Sequence, residues 1–185
     1  MTTDTMNMRR PVYLGCDVQT TGMAWAAIPV QGSARVMRCG WLPFDRGKPL
    51  EDEVLAAVRA LDIAMRGSRR AMAMRPYSIA VERVGGGRGV QSMLAVANAA
   101  GIAAGILAAR YEEAVMWRPT PAEWKTLCGL PGNAGKPAVM QRAEDIVRNG
   151  REYVTVAGMR QDVADAMCIA YADREAGRRA VAQQD

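Results

Sequence analysis

The chain has 185 residues, of which 50% are hydrophobic and none is histidine, and its formal net charge is +5. This length favours one domain with a hydrophobic core, and the absence of histidine excludes histidine-based triads, histidine-containing zinc fingers and imidazole general bases. The basic charge favours a polyanionic partner, nucleic acid before membrane, because no segment pairs its basic residues with a strongly apolar face.

The cysteines and the N-terminal segment indicate a reducing compartment. The four cysteines are scattered without a CxxC pair, each among apolar neighbours, so we expect reduced, buried thiols. Residues 1–11 lack the apolar core of a signal peptide, so we expect a cytoplasmic protein. No apolar run reaches the length of a bilayer span, and the longest one, residues 93–109, is rich in the alanine and glycine that suit tight helix packing.

The first third of the chain predicts a tail, three strands and a helix. Residues 1–10 are predicted to form a disordered tail. Apolar strands are predicted at 12–18, 23–30 and 34–42, at a spacing that suits hairpins. The apolar residues of 50–66 recur with helical periodicity, and the acidic start of this segment suits a helix N-terminus.

Strands and helices alternate in the rest of the chain. Strands are predicted at 77–84 and 114–117, separated by a glycine-rich loop and a long helix over 90–110. After a short helix or turn, another helix begins near Pro137, a residue type favoured in the first turn. The last helix contains residues 160–175, which read RQDVADAMCIAYADRE.

This order predicts an α/β domain with a five-stranded mixed sheet flanked by helices. The first three strands can form an antiparallel meander, and the later strand–helix–strand crossovers require parallel neighbours. We therefore expect a single domain over residues 11–180, followed by a short disordered tail over 181–185, with no second domain.

Four acidic residues occupy positions where they can meet. Asp17 and Glu82 each close an apolar strand, and the carboxyl ends of neighbouring parallel strands lie at the same edge of a sheet. Asp162 and Asp165 are three residues apart on the last helix, so they share a face and repel one another. Carboxylates alone make a hard-oxygen site that suits Mg²⁺ or Mn²⁺, and a bound cation would offset the repulsion. Two ions about 4 Å apart can activate water and stabilise the leaving oxygen of a phosphodiester.

Each acid also has a structural explanation that involves no metal. Asp17 could begin the QTTG turn, and Glu82 could pair with an arginine such as Arg83. Asp162 could be an N-terminal helix acid that the helix dipole favours. These explanations require separate coincidences at the ends of adjacent elements, so we favour a shared metal site.

The acids lie in motifs whose order and spacing are specific. The stretches YLGCDVQTTGMAWAAI and IAVERV resemble the two acidic strands of a nuclease family and contain Asp17 and Glu82. The stretch QDVADAMCIA resembles that family's closing D-x-x-D-A helix and contains Asp162 and Asp165. From about residue 13 to residue 174, the chain thus resembles the RuvC family of Holliday junction resolvases, within the RNase H-like nuclease superfamily.

The resemblance implies a fold, an activity and a cofactor. The expected fold is RNase H-like, and the expected enzyme is a crossover junction endodeoxyribonuclease that acts in DNA recombination and repair. It would resolve four-way junctions by paired phosphodiester hydrolysis, with two Mg²⁺ ions per site for which Mn²⁺ can substitute. Asp17, Glu82, Asp162 and Asp165 would be the catalytic metal ligands, and the protein would be a divergent member, bacterial or phage-encoded.

The same resemblance implies a set of DNA contacts. Lys125 and Lys136 fall where the family has basic residues near the scissile phosphate, and Lys136 is expected to take part in catalysis as well. Lys136 also opens a helix at a glycine turn, where phosphate binding is favoured, whereas Lys125 equally suits a solvated surface lysine. The glycine-rich loop after the second acidic strand resembles the family's DNA-contacting loop and supplies Gly86, Gly87 and Arg88.

Two departures from the family pattern concern the ends of the acidic strands. The opening motif reads Asp17-Val18-Gln19 where the family has Asp-Pro-Gly. The loop after the second acidic strand lacks the aromatic residue that wedges into a junction, and Arg88 is its only bulky side chain. These departures affect junction opening and cleavage-sequence preference rather than metal binding.

Symmetric cutting of a junction needs two sites, so the resemblance also implies a homodimer. The Ala/Gly-rich helix over 90–110 is a candidate dimer surface, and packing on its own sheet is the alternative. Three other functions remain open: a related nuclease for flaps, forks or RNA–DNA hybrids, a non-catalytic nucleic-acid-binding protein of the same fold, and an actin-like or sugar-kinase-like phosphate binder. The last needs a second lobe that 185 residues do not supply.

Overall fold

The computed structural model describes residues 9–32, 38–66, 73–84, 89–148 and 160–182. The strands are β1 (Arg10–Gln19), β2 (Gly22–Pro29), β3 (Arg38–Pro43), β4 (Met74–Val81) and β5 (Val115–Trp117). The helices are α1 (Leu50–Arg66), α2 (Val90–Arg110), α3 (Pro121–Leu127), α4 (Lys136–Arg148) and α5 (Gln161–Ala182).

The five strands form one mixed sheet in the order β3-β2-β1-β4-β5. β1 pairs antiparallel with β2, and β2 pairs antiparallel with β3, which makes the meander expected from the short turns. β4 joins the other side of β1 in parallel, and β5 joins β4 in parallel. This topology confirms the predicted α/β fold with a five-stranded mixed sheet, and it makes β1 the central strand.

The position of β4 differs from the prediction. The strand begins at Met74 and ends at Val81, whereas the apolar pattern predicted 77–84. Pro76 accounts for the late predicted start, because its missing N–H argues against a central strand. The β1–β4 register shifts between Val12 and Tyr13, beside Pro76, and this irregularity accommodates the proline within the sheet.

β1 and α5 each extend slightly into a segment predicted as a tail. β1 begins at Arg10, because that residue already pairs with Met74 of β4. α5 continues to Ala182, two residues into the predicted C-terminal tail, since the sequence after Gly177 contains good helix formers and no proline.

The helices cover both faces of the sheet. α1 and α2 pack on one face in a core that includes Leu14 and Cys16 of β1. α3, α4 and α5 pack on the other face in a second core. Because successive strand residues point to opposite faces, Gly15 and Asp17 of β1 point towards α5. Because of this alternation, the buried Asp17 side chain faces α5.

α2 is the most apolar helix and corrects one expectation from the sequence. With 21 residues, Val90–Arg110 is long and apolar enough to cross a membrane, judged by length and composition only. Core helices also pass this test, and α2 buries Ala99, Ala103 and Leu107 in the core that it shares with α1 and the sheet. In this structure α2 thus packs, together with α1, on one face of the sheet.

Candidate metal centre

Three of the predicted acids converge at the carboxyl end of β1. Asp17, Asp162 and Asp165 each offer a carboxylate oxygen, and these oxygens lie within 4.8 Å of one another. Asp17 comes from the central strand, and the two other acids come from the first turns of α5. The close packing of α5 on β1 therefore creates the cluster.

Glu82 lies at the same cavity but outside this group of three. It follows β4 directly, and its backbone N–H donates to the carbonyl oxygen of Cys16 at 3.2 Å. This bond fixes the backbone of Glu82 beside the end of β1, next to Asp17. The negative charge of Glu82 is one of the causes that raise the pKa of Asp17.

The acids open into a cavity of about 340 Å³. Asp17, Glu82 and Asp165 line it together with the two predicted lysines, Lys125 and Lys136. Elements from both halves of the chain thus meet at this cavity, and it is large enough for metal ions and part of a polar ligand.

Burial and the charges of neighbouring acids raise the pKa values of Asp17 and Asp165. Asp17 is only 3% exposed, and its pKa lies well above the usual range because of burial, followed by the charges of Glu82 and Asp165. Burial also raises the pKa of Asp165 to about 6, with a further contribution from Asp162. The hydrogen bond from Gln161 and the charges of Lys125 and Lys136 act in the opposite direction.

The donor set fits a hard divalent cation. All of the converging ligand atoms are carboxylate oxygens, which Mg²⁺ and Mn²⁺ prefer over softer ligands. A buried carboxylate such as Asp17 is costly unless a cation compensates it. Asp17, Asp162 and Asp165 could therefore hold an ion between them, and Glu82 could complete the site from the other wall of the cavity.

The two predicted lysines approach the cluster in different ways. Lys125 of α3 is half-buried, and its Nζ donates to the carbonyl oxygen of Ala134 at 2.8 Å. Lys136 is the exposed first residue of α4, so it places an ammonium group at a helix N-terminus. Of the two, Lys125 is not the solvated surface lysine that its sequence context also allowed.

Each acid accepts a hydrogen bond from a residue that the sequence analysis did not place in the site. Gln19 Nε2 donates to Asp17 Oδ1 at 2.8 Å, and Gln161 Nε2 donates to Asp165 Oδ1 at 2.9 Å. The other two bonds are from Arg160 Nη2 to Asp162 Oδ2 at 3.3 Å and from Trp124 Nε1 to Glu82 Oε2 at 3.2 Å.

The sequence contained a signal for only some of these donors. Gln161 precedes Asp165 by four residues, a spacing at which helical side chains meet. Gln19 replaces the glycine of the family pattern, and its amide bond to Asp17 gives that departure a structural role. The contact of Trp124 with an acid on another element had no local signal.

The predicted DNA-contacting residues Gly86, Gly87 and Arg88 lie outside the described residues. Their role stays a prediction from the sequence. On the described side of the same segment, the Arg83 guanidinium lies 3.4 Å from Glu123 of α3, and both side chains are exposed.

Comparison with known proteins gives structural matches only. No family profile matches the sequence, and no curated protein sequence matches it significantly. The structure of Thermus thermophilus RuvC matches with a TM-score of 0.68 and 21% sequence identity, over 91% of this chain and 96% of that chain.

This chain has the RuvC fold. T. thermophilus RuvC in complex with a Holliday junction substrate also matches, with a TM-score of 0.64 and 20% identity, over 91% of this chain and 96% of that one. The yeast mitochondrial Holliday junction resolvase Ydc2 matches with a TM-score of 0.53 and 12% identity, over 96% and 86% of the two chains. The resemblance to RuvC that the acidic motifs predicted is confirmed at the level of the fold.

The match to the RuvC fold covers 91% of the chain, so the acids lie on elements that belong to this fold. All four acids are on elements of that fold: the central strand, the end of β4 and the start of α5. The described residues form one sheet with its flanking helices, as this fold requires.

Proposed function

We propose that this protein is a divalent-metal-dependent, structure-selective endonuclease that resolves four-way DNA junctions. The observation that carries the proposal is the convergence of Asp17, Asp162 and Asp165 within 4.8 Å at the end of the central strand. The RuvC fold supports it, since one of the similar structures is a RuvC in complex with a Holliday junction substrate. Within this proposal, the enzyme is a crossover junction endodeoxyribonuclease of DNA recombination and repair.

The four acids would act as ligands of Mg²⁺, two ions per site, with Mn²⁺ as a substitute. Bound there, the ions would supply an activated water and neutralise charge on the leaving oxygen of the phosphodiester. The four acids would hold the ions through carboxylate oxygens, which must be ionised to bind a cation. Gln19 and Gln161 contribute to this by donating to Asp17 and Asp165.

The lysines would bind and orient the DNA backbone. Both Lys125 and Lys136 line the cavity of the acids, and both charges act on Asp165. A phosphate placed between the lysines and the metal ligands would have cationic groups on two sides. Lys136 is the better candidate for a catalytic role, because it is exposed and lies at a helix start.

Two sites are needed to cut two strands, and we propose a homodimer that supplies them. The N-terminal half of α2 presents Val90 and Leu94 to solvent with exposed fractions of 68% and 64%. Gly101 of the same helix has open space beside it, so a second helix could approach closely. Light scattering should show a dimer, free or bound to DNA. Monomer alone in both states would favour a nuclease that cuts one strand, and Leu94→Glu should dissociate a dimer built on this face.

Cleavage of a synthetic four-way junction tests the proposed activity directly. We expect Mg²⁺-dependent, paired nicks in strands of like polarity, with Mn²⁺ in place of Mg²⁺ also effective and EDTA inhibitory. Flap, fork, linear duplex and RNA–DNA hybrid substrates of the same sequence serve as controls. Faster cleavage of one of these would identify a related nuclease, and binding without any cleavage would identify a non-catalytic nucleic-acid-binding protein.

A further inference from the structure

We propose that Trp124 is a positioning residue that holds Glu82 in place as a metal ligand. The proposal rests on the proposed function and goes beyond it, because Trp124 itself would touch neither metal nor DNA. Its indole Nε1 donates to Glu82 Oε2 at 3.2 Å. Glu82 is the one acid of the site that lies outside the cluster of three, so its placement needs a separate cause.

The acceptor is a long side chain at a strand end, and the donor is a buried ring. Glu82 follows the last residue of β4, and its backbone N–H donates to Cys16 O of β1 at 3.2 Å. A glutamate side chain has three rotatable bonds and loses much rotamer freedom when it is fixed. The Trp124 side chain is only 2% exposed and is among the largest fully buried side chains of the described residues. The indole N–H that meets Glu82 is therefore carried by a tightly packed ring.

α3 is capped at both ends, which stabilises the helix that carries the indole. Thr120 and Glu123 form a capping box at the N-terminus, with bonds of 3.3 Å from Glu123 N to Thr120 Oγ1 and 2.6 Å from Thr120 N to Glu123 Oε2. At the other end, Cys128 N donates to Trp124 O at 2.9 Å. The indole ring packs in the core beneath α5. These cap bonds stabilise the seven-residue helix that positions Trp124.

Two successive residues of α3, Trp124 and Lys125, interact with acids on opposite sides of the cavity. Trp124 donates to Glu82 on the β4 side, while the Lys125 charge acts on Asp165 of α5. An indole N–H can donate but not accept, so it stabilises the ionised carboxylate that a cation requires. In many metal sites such outer partners orient the ligand and tune its affinity. α3 therefore has the geometry of a support for the metal site.

Titration of the DNA-free protein with Mn²⁺ by calorimetry tests the proposal. Trp124→Phe keeps an aromatic ring and removes the N–H, and we expect Mn²⁺ affinity to fall by about 10- to 100-fold. Trp25→Phe is the control, because Trp25 is a buried tryptophan in the core on the opposite face of the sheet. It should leave Mn²⁺ affinity unchanged. Parental affinity in Trp124→Phe would overturn the proposal.

A double-variant cycle separates positioning from a general packing role. If Trp124 acts through Glu82, Trp124→Phe should weaken Mn²⁺ binding in the parent but cause no further loss in a Glu82→Gln background. An equal loss in both backgrounds would show that Trp124 only packs. Junction cleavage by the parent is a separate readout, so a protein that binds Mn²⁺ but cuts no junction would refute the proposed function without deciding the role of Trp124.

A measurement on the parent protein covers the case in which Trp124→Phe does not fold. In a proton–nitrogen NMR spectrum, the indole N–H signal of Trp124 can be assigned with Trp→Phe variants at the other three tryptophans. We expect this signal to shift on addition of Mg²⁺, and we expect the Trp25 signal to stay in place. A Trp124 signal that is insensitive to saturating Mg²⁺ would overturn the proposal.

Discussion

Gly15 of β1 lies directly against the backbone of α5 at Ala166. A Cβ atom on Gly15 would be 2.3 Å from the carbonyl oxygen of Ala166 and 2.4 Å from the backbone nitrogen of Ala170. Asp17 follows Gly15 by two residues on the same face of the strand, and Asp165 immediately precedes Ala166. The glycine thus permits the approach of strand and helix that brings the acids together.

Gly15→Ala should damage both the fold and the metal site. The added methyl group meets backbone atoms that cannot rotate away, so α5 must shift outward, and overpacking of this kind costs about 1–3 kcal/mol or more of unfolding free energy. The shift should also separate Asp17 from Asp165 and weaken Mn²⁺ binding. Denaturant unfolding and calorimetric titration measure the two effects.

Gly105→Ala provides the matched control for that substitution. Gly105 lies on the exposed side of α2, and a Cβ there would meet nothing within 4 Å. Alanine in a helix is favoured over glycine, so this variant should gain about 0.5–1 kcal/mol of stability and bind Mn²⁺ as the parent does. Similar behaviour of the two variants would show that the Gly15 contact does not determine the spacing of the acids.

The local pattern of the sequence predicted the elements, whereas contacts between elements were only partly predictable. The bounds of α1 and α2 follow from periodicity and composition and are confirmed at Leu50–Arg66 and Val90–Arg110. The predicted start of β4 was wrong because Pro76 is typical of a strand break. In the structure, an irregular register between β1 and β4 accommodates this proline. Strand propensity is a property of single residues, so it does not predict how a strand is paired with its neighbour.

The candidate site shows the same division. Strand ends and the spacing of Asp162 and Asp165 indicated which acids could meet, because these features are local in sequence. The separation of Glu82 from the cluster of three depends on how the end of β4 lies beside α3. Such a tertiary contact joins residues 42 positions apart, so no pattern within one element predicts it.

Lys136→Ala should weaken DNA binding in a salt-dependent way. If Lys136 neutralises one phosphate, its loss reduces the slope of log affinity against log salt by about 1. Binding of a four-way junction, measured between low and moderate salt, gives this slope. Lys48→Ala is the control, since Lys48 already pairs with Asp45 and Glu53 at 3.6 and 3.7 Å. An unchanged slope for Lys136→Ala would make Lys136 a solvated surface lysine.

Asp173→Asn should stabilise the protein at high pH. Asp173 is 5% exposed, accepts a hydrogen bond from the Ser78 hydroxyl at 3.0 Å, and has a pKa raised to about 7, mainly by burial. Because this pKa is raised in the folded state, the stability from the protonated form is complete below about pH 4 and is lost as pH rises through about 7.

Asparagine does not ionise, so the gain over the parent should be about 1–3 kcal/mol at pH 8 and should shrink towards pH 4. Denaturant unfolding of both proteins across this range measures the difference. A gain that is the same at every pH would show that Asp173 does not titrate in this window.

Metal binding should strengthen as pH rises through about 6. Burial raises the pKa of Asp165 to about 6 and that of Asp17 well above its usual range, so a cation must displace protons at low pH. In the metal-free protein the sign for stability is opposite, because the protonated acids favour folding and that contribution is lost above about pH 6. Mn²⁺ titrations at several pH values, in buffers of different ionisation enthalpy, should show this trend and the released protons. An affinity independent of pH between 5 and 7 contradicts a site that contains Asp165.

In the proposed function the acid cluster performs the cleavage and does not merely stabilise the fold. The most direct test compares Asp17→Asn with the parent for Mg²⁺-dependent cutting of a four-way junction, with junction binding measured in parallel. Asp52→Asn, at an exposed acid in the first turn of α1, is the control. We predict that Asp17→Asn binds the junction, because binding depends on phosphate contacts, and shows no detectable cleavage, while Asp52→Asn cuts as the parent does. Cleavage by Asp17→Asn at the parental rate would contradict the assignment of the site.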